Sequence, residues 1–326
     1  MTIHPDVQQI ISQFEANELH AARSGRKVMD ALASVINDSP APDINGLASE
    51  LDSNVDALLR VMPAYAPPIN VMHQIYSRFE SAKDIQQSVE EVQAGMADAA
   101  DAYRKWSEEA RSRIAVYGGS VIPQGGTVFT YTLSETALRT IREAWNQGVE
   151  FKLLVTESRP NNDGLITAKA LADEGVDVEI GVDANVGELV PRADVMIVGA
   201  EAVLADGSAI CKVGTYPAAL VAREYRVPMY VLVDSLKFHS TSLFGQKLWL
   251  DPIQREAFNE DGIAPRAAVS GHLFDRTPPE LISAIVTERG FMHPEQASAW
   301  MLDMPISGSI LTRLGYRGAN PIQQGE

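Results

Sequence analysis

Apolar residues recur at three- and four-residue spacings from Glu50 to Arg60 and again from Val71 to Trp106, with Ala, Glu, Gln and Lys between them. That period predicts helices. Asn45-Gly46 and Pro63-Ala-Tyr-Ala-Pro-Pro68 predict breaks between them. Almost no strand-like run precedes about residue 114, so residues 1–112 read as a helical domain. Past Gly118-Gly119 the period changes. Strands are expected at Thr127–Tyr131, Phe151–Thr156, Val176–Val182, Val195–Gly199 and Met229–Val233. Helices are expected between them at Glu135–Gln147, Ile166–Glu174 and Tyr216–Tyr225. This alternation gives an α/β fold for residues 113–326, with a Rossmann-like, mainly parallel, doubly wound sheet. Such sheets bind ligands beyond the carboxyl ends of their strands. The rule selects Tyr131–Ser134, Glu157–Gly164, Asp183–Gly187, Gly199–Glu201 and Asp234–Lys237. The polar tail, Gly315 to Glu326, reads as a disordered extension.

Composition narrows the class of function. The chain has 326 residues, 45% apolar and 21% charged, as in ordinary globular proteins that bury a large core. No apolar stretch approaches the roughly 18 to 20 residues of a membrane span. The start, MTIHPDVQQIISQFEANELH, lacks the basic and apolar blocks of a secretory signal. One cysteine forms no intrachain disulfide, which fits a cytoplasmic location. A formal charge of −16 repels phosphate backbones, so nucleic acid is not an expected partner, and neither is a membrane.

Common signatures are missing: no GxGxxG, no GxxxxGK[ST], no HExxH and no GxSxG. His4, His20, His73, His239, His272 and His293 show no ligand spacing, so neither a metal nor another cofactor is expected. Cys211 is either a nucleophile or a small buried hydrophobe. Lys212-Val-Gly214-Thr215 could form an anion site. Gly214 permits close backbone approach, Thr215 can cap the next helix, its first amides face outward, and Lys212 adds charge. The same residues would also serve as a capped helix with an exposed lysine. Arg159, directly after a strand, could hold a phosphate or pair with Glu157 or Asp183. Lys237 stands at the equivalent place on another strand.

Together these stretches resemble one superfamily: methylthioribose-1-phosphate isomerase, archaeal ribose-1,5-bisphosphate isomerase and the alpha, beta and delta subunits of translation initiation factor 2B. The carriers are Thr156-Glu-Ser-Arg-Pro160, Gly164-Leu-Ile-Thr-Ala168, Val182-Asp-Ala-Asn-Val-Gly187 and Ala193-Asp-Val-Met-Ile-Val-Gly-Ala-Glu201. Lys212-Val-Gly-Thr215, Ser235-Leu-Lys-Phe238, Phe274-Asp-Arg-Thr-Pro-Pro-Glu280 and Thr287-Glu-Arg-Gly290 complete the set. The resemblance implies a helical domain before a Rossmann-like one, assembled as a homodimer or a larger homo-oligomer. Its isomerases convert an aldose 1-phosphate into a ketose 1-phosphate, using a cysteine after the first sheet strand and an aspartate at the end of the Gly-Ala motif. Here those positions hold Thr132 and Glu201. Cys211 replaces an asparagine, and Met62-Pro63 stands where the isomerases have Arg-Pro. The retained ligand-binding set is Arg159, Asp183, Lys212, Gly214, Thr215 and Lys237. The sequence expectation is therefore a protein that binds a phosphorylated sugar or nucleotide, has lost the usual chemistry and acts in regulation or assembly. The alternative is an unconventional aldose–ketose isomerase with Glu201 as acid/base, assisted by Thr132 or Cys211.

Overall fold

The computed structural model describes residues 2–16, 21–62, 66–245, 248, 250, 252–258 and 266–316. His20, Pro63 and the tail beyond residue 316 lie outside the described residues. The chain divides into two compact units. The first takes Met1–Glu108, His239–Lys247 and Met301–Glu326, and the second Glu109–Phe238 and Leu248–Trp300. Two late segments thus return to the helical unit, which a single cut between residues 112 and 113 does not anticipate.

The front of the chain is helical: α1 (Pro5–Glu15), α2 (Ala21–Asn37), α3 (Ile44–Val61), α4 (Ala66–Asp84) and α5 (Val89–Gly119). Asn45-Gly46 does not break a helix but opens one. Asp43 Oδ1 accepts the amides of Asn45 at 3.0 Å and Gly46 at 2.8 Å, which caps α3. Pro67 and Pro68 sit in the first turn of α4, where their missing donor costs no intrahelical bond. The apolar run from Val71 to Trp106 is two helices, parted near Gln86, which adopts φ of +57°. Leu32 and Ile36 of α2, Leu47, Leu51 and Leu58 of α3, and Ile69, Met72 and Ile75 of α4 are fully buried, at spacings that share one face of a helix. α2 packs on α4, and α1 on α3.

In the second unit the elements are β1 (Gly126–Thr130), α6 (Glu135–Asn146), β2 (Phe151–Thr156), α7 (Asp163–Asp173), β3 (Asp177–Gly181), α8 (Val186–Leu189) and β4 (Val195–Gly199). They continue with β5 (Ala202–Val203), β6 (Ala209–Lys212), α9 (Thr215–Glu224), β7 (Met229–Leu232), β8 (Phe274–Thr277), β9 (Ala284–Thr287) and β10 (Gly290–Met292). Helices α10 (Ala297–Leu302) and α11 (Gly308–Arg313) follow. The main sheet has order β10-β9-β7-β4-β1-β2-β3, parallel except for β10 against β9. Val128, Leu153, Val195, Ile197, Leu232 and Val286 from five of its strands form one core with Ile141 of α6 and Leu171 of α7. Each such side chain contributes about 1.5–3 kcal/mol on burial.

A second, antiparallel sheet has order β5-β6-β8. Its strands are two to four residues long, too short for an alternating pattern to show in the sequence. No helix among the described residues is long and apolar enough to cross a membrane.

Within the helical unit, His73 of α4 is fully buried and its Nδ1 accepts the Ser307 amide at 3.0 Å. Glu80 Oε1 accepts the Ser307 hydroxyl at 2.8 Å and that of Ser309 at 2.7 Å. Burial first, and His239 second, lower the His73 pKa from 6.5 to about 4. The unfolded chain therefore binds this proton more readily than the folded one. The His73 contribution to stability is full above pH 6.5 and is lost as pH falls toward 4, to a total of about 3 kcal/mol. Urea unfolding at pH 7 and pH 5 is expected to show this loss. His73→Asn, which keeps an acceptor for Ser307, should flatten it; an unchanged pH slope in that variant would assign the loss to other groups.

Candidate active site

Strands β1, β2 and β3 step to one side of the main sheet and β4 to the other, so the strand order reverses between β1 and β4. Open parallel sheets bind ligands in the crevice at such a switch point. The residues just past these two strands are Tyr131–Ser134 and Ala200–Glu201. They close on one another because Gly199 has no side chain: a Cβ there would lie 2.0 Å from Ser134 Oγ. Ser134 also caps α6 by accepting the Ala137 amide at 3.3 Å. Thr132 takes φ of +64°, a left-handed conformation that costs a β-branched residue free energy, and its carbonyl accepts the Thr167 hydroxyl at 2.9 Å.

Glu201 is half-buried. Its amide donates to Ile210 O at 2.7 Å, which ties it to β6, while its Oε2 is buried with no hydrogen-bond partner among the described residues. Cys211 is 1% exposed. Burial, then the charges of Asp275 and Glu201, push its thiol far above the ordinary range, with Lys237 opposing. Such a thiol supplies no thiolate. Strand register sets Asp275 of β8 opposite Cys211, while Glu201 directly precedes Ala202, which pairs with Ile210 on the other edge of β6.

The cations and amides expected to hold an anion already have acceptors. Lys212 is buried and its Nζ donates to Asp163 Oδ2 at 3.1 Å. Gly214, at φ of +102°, leads into α9, and a Cβ there would lie 2.0 Å from the Tyr131 hydroxyl. Thr215 does not cap α9: its hydroxyl donates back to Lys212 O at 2.7 Å. The cap is Asp275, whose Oδ2 accepts the Gly214 amide at 2.7 Å and the Tyr216 amide at 3.0 Å. The anion at this helix start therefore belongs to the protein itself.

Asp183 makes a similar clamp after β3. Its Oδ1 accepts the Ser158 amide at 2.8 Å and its Oδ2 the Arg159 amide at 2.7 Å. Burial, followed by the Asp183 charge, raises the Tyr131 pKa. The exposed Arg159 guanidinium meets neither Glu157 nor Asp183; its Nη2 donates to Ala257 O at 2.9 Å, a neutral partner. Lys237 is buried, with its Nζ on Ala200 O at 2.5 Å, one peptide from Glu201.

Among the described residues, no three His, Cys, Asp or Glu side chains form a group that could hold a metal ion. Asp275, Asp163 and Tyr131 are functional candidates that sequence reasoning did not single out. Asp275 lies inside the quoted Phe274–Glu280 stretch, and Asp163 directly precedes the quoted Gly164–Ala168 stretch. Only the pairing of Cys211 with Asp275 across β6 and β8 shows what the carboxylate faces.

Residues 19–294 match the sequence model of the Initiation factor 2 subunit family. The ribose 1,5-bisphosphate isomerase of Haloferax volcanii is 30% identical over 306 residues, covering 93% of each chain. The protein of that name from Methanocaldococcus jannaschii is 36% identical over 208 residues, 62% of this chain and 66% of its own. Among solved structures, the translation initiation factor eIF-2B of Pyrococcus horikoshii OT3 superposes with a TM-score of 0.73 at 26% identity, covering 90% of this chain and 98% of its own.

The contact at Gly199 gives a direct check of the geometry. Gly199→Ala is expected to cost about 1–3 kcal/mol by overpacking against Ser134. Adding Ser134→Gly, which by itself weakens the α6 cap by only a few tenths of a kcal/mol, should restore most of the melting temperature. Additive losses in the double variant would show that the two residues do not touch.

Proposed function

The chain belongs to the Initiation factor 2 subunit family, and we propose that within it this protein is an aldose–ketose isomerase of a ribose 1-phosphate-type sugar, ribose 1,5-bisphosphate first among them. The observation that carries the reading is the buried, unpartnered Oε2 of Glu201 at the switch point of the sheet. The names of relatives that cover nearly the whole chain support it over a regulatory role. The reaction opens the ring, moves a hydrogen from C2 to C1 and takes the proton from the C2 hydroxyl. A carboxylate at the crevice suits the last step. Glu201 is one methylene longer than the aspartate the resemblance implies, and its backbone is fixed by Lys237 through Ala200 O and by Ile210 O. The Arg159 guanidinium, which no carboxylate pairs with among the described residues, is the group assigned to a substrate phosphate.

One observation favours a second reading, ligand binding without turnover: β1 leads into Thr132, not a thiol. An assay separates the two. Purified protein supplied with ribose 1,5-bisphosphate is expected to form ribulose 1,5-bisphosphate, and Glu201→Gln to lower kcat by about 100-fold or more. No ketose, together with a ligand-induced rise in melting temperature that Arg159→Ala abolishes, would replace the isomerase by the binding protein.

A further inference from the structure

Thr132 leaves half of the proposed reaction without an acid. A threonine hydroxyl is too weak to protonate a departing ring oxygen, and the thiol of Cys211 is buried. Asp275 offers a carboxyl in the right place. It stands on β8 in register with Cys211 on β6, while Glu201 leads into β5 on the other side of β6. The two strands that carry these carboxyls flank β6 on either edge, level with the buried Cys211. The charge of Asp275 also acts on Tyr131, the residue before Thr132, and the Tyr131 hydroxyl abuts Gly214, whose amide Asp275 holds. Asp275 thus reaches the end of β1, where the resemblance calls for an acid.

The two oxygens of Asp275 are not equivalent. Oδ2 accepts the α9 amides and behaves as the carbonyl half of a carboxylic acid. Oδ1 is buried with no hydrogen-bond partner, so it is the oxygen left free to carry a proton. The other aspartates of the rim are engaged differently: both oxygens of Asp183 accept amides, and Asp163 faces the Lys212 ammonium.

We propose that Asp275 is the proton donor of this site, taking the place of the absent thiol and working opposite Glu201. The inference rests on the isomerase reading above. Asp275 gives its proton to the ring oxygen as the C1–O bond breaks, and the bond pair stays on that oxygen. A hydrogen with its electron pair moves from C2 to C1. The C2 hydroxyl then gives its proton to Glu201 as the ketone forms. One proton leaves Asp275 and one arrives at Glu201, so exchange with water restores both, and the product is an isomer of the substrate.

Burial raises the Asp275 carboxyl to about 6, against the lowering effect of the Tyr216, Gly214 and Thr215 amides, which keeps the acid form available near neutrality. The groups that face it are Tyr131 from β1, Cys211 from β6, and the first amides of α9. Burial raises both Tyr131 and Cys211, so neither loses its proton in this range.

The test compares Asp275→Asn with the wild type on ribose 1,5-bisphosphate. Asn retains an acceptor for the α9 amides and removes the acid. Expected for Asp275→Asn is a fall in kcat of about 100-fold or more with KM within about threefold. An Asp275→Asn enzyme that keeps more than about a tenth of kcat overturns the proposal. If Asp275→Asn does not fold, the wild-type profile decides. Its kcat must fall as pH rises above a midpoint near 6, and a flat profile from about pH 5 to pH 8 overturns the assignment. A wild type that makes no ketose removes the isomerase reading and this inference together, whereas turnover that survives Asp275→Asn removes the inference alone.

Discussion

The carboxylate of Asp275 on the start of α9 is the contact around which the site is organised. One oxygen joins β8 to the Gly214 and Tyr216 amides, and β8 in turn pairs with β6, which carries Cys211 and Lys212. Gly214, having no side chain, takes a left-handed turn and leaves the place of a Cβ to the Tyr131 hydroxyl. The end of the first strand, the small antiparallel sheet and the start of α9 are thereby fixed by two groups, a carboxylate and a phenol. A hydrogen bond of this kind counts for more in a half-buried place than in water, because fewer solvent dipoles compete for it.

The same principle recurs around the rim. Asp183 holds the Ser158 and Arg159 amides, Asp163 holds Lys212, and the carbonyl of Ala200 holds Lys237. In a chain with a formal charge of −16, internal carboxylates take up donors that a phosphate would otherwise meet. Arg159 is the exception, its guanidinium resting on a neutral carbonyl. The rim is consequently rigid before any ligand arrives, which suits chemistry that depends on placement within about 1 Å.

Much of the fold could be read along the chain. Phe151–Thr156 and Val195–Gly199 are strands over the expected residues, because continuous apolar runs of that length between turn residues fit a sheet covered on both faces. The helices of the front third follow from the spacing of Leu47, Leu51 and Leu58 and their neighbours. Asn45-Gly46 misleads because a capping carboxylate two residues earlier turns a break signal into a helix start. The strands of the small sheet escape notice because two to four residues cannot display a period.

The site was legible as a set of residue types, not as a set of partners. Sequence order alone put Arg159, Asp183, Glu201 and Lys237 at strand ends, since a parallel sheet brings those ends to one edge. Family membership, too, follows from the sequence, over residues 19–294. What the tertiary structure decided is which group meets which. It buries Cys211 out of reach, sets Asp275 beside it from a strand more than sixty residues away, and gives the α9 amides to that carboxylate. Such pairings depend on strand register and on close approaches at two glycines, Gly199 and Gly214, that involve residues distant in the chain. Local periodicity carries no record of them.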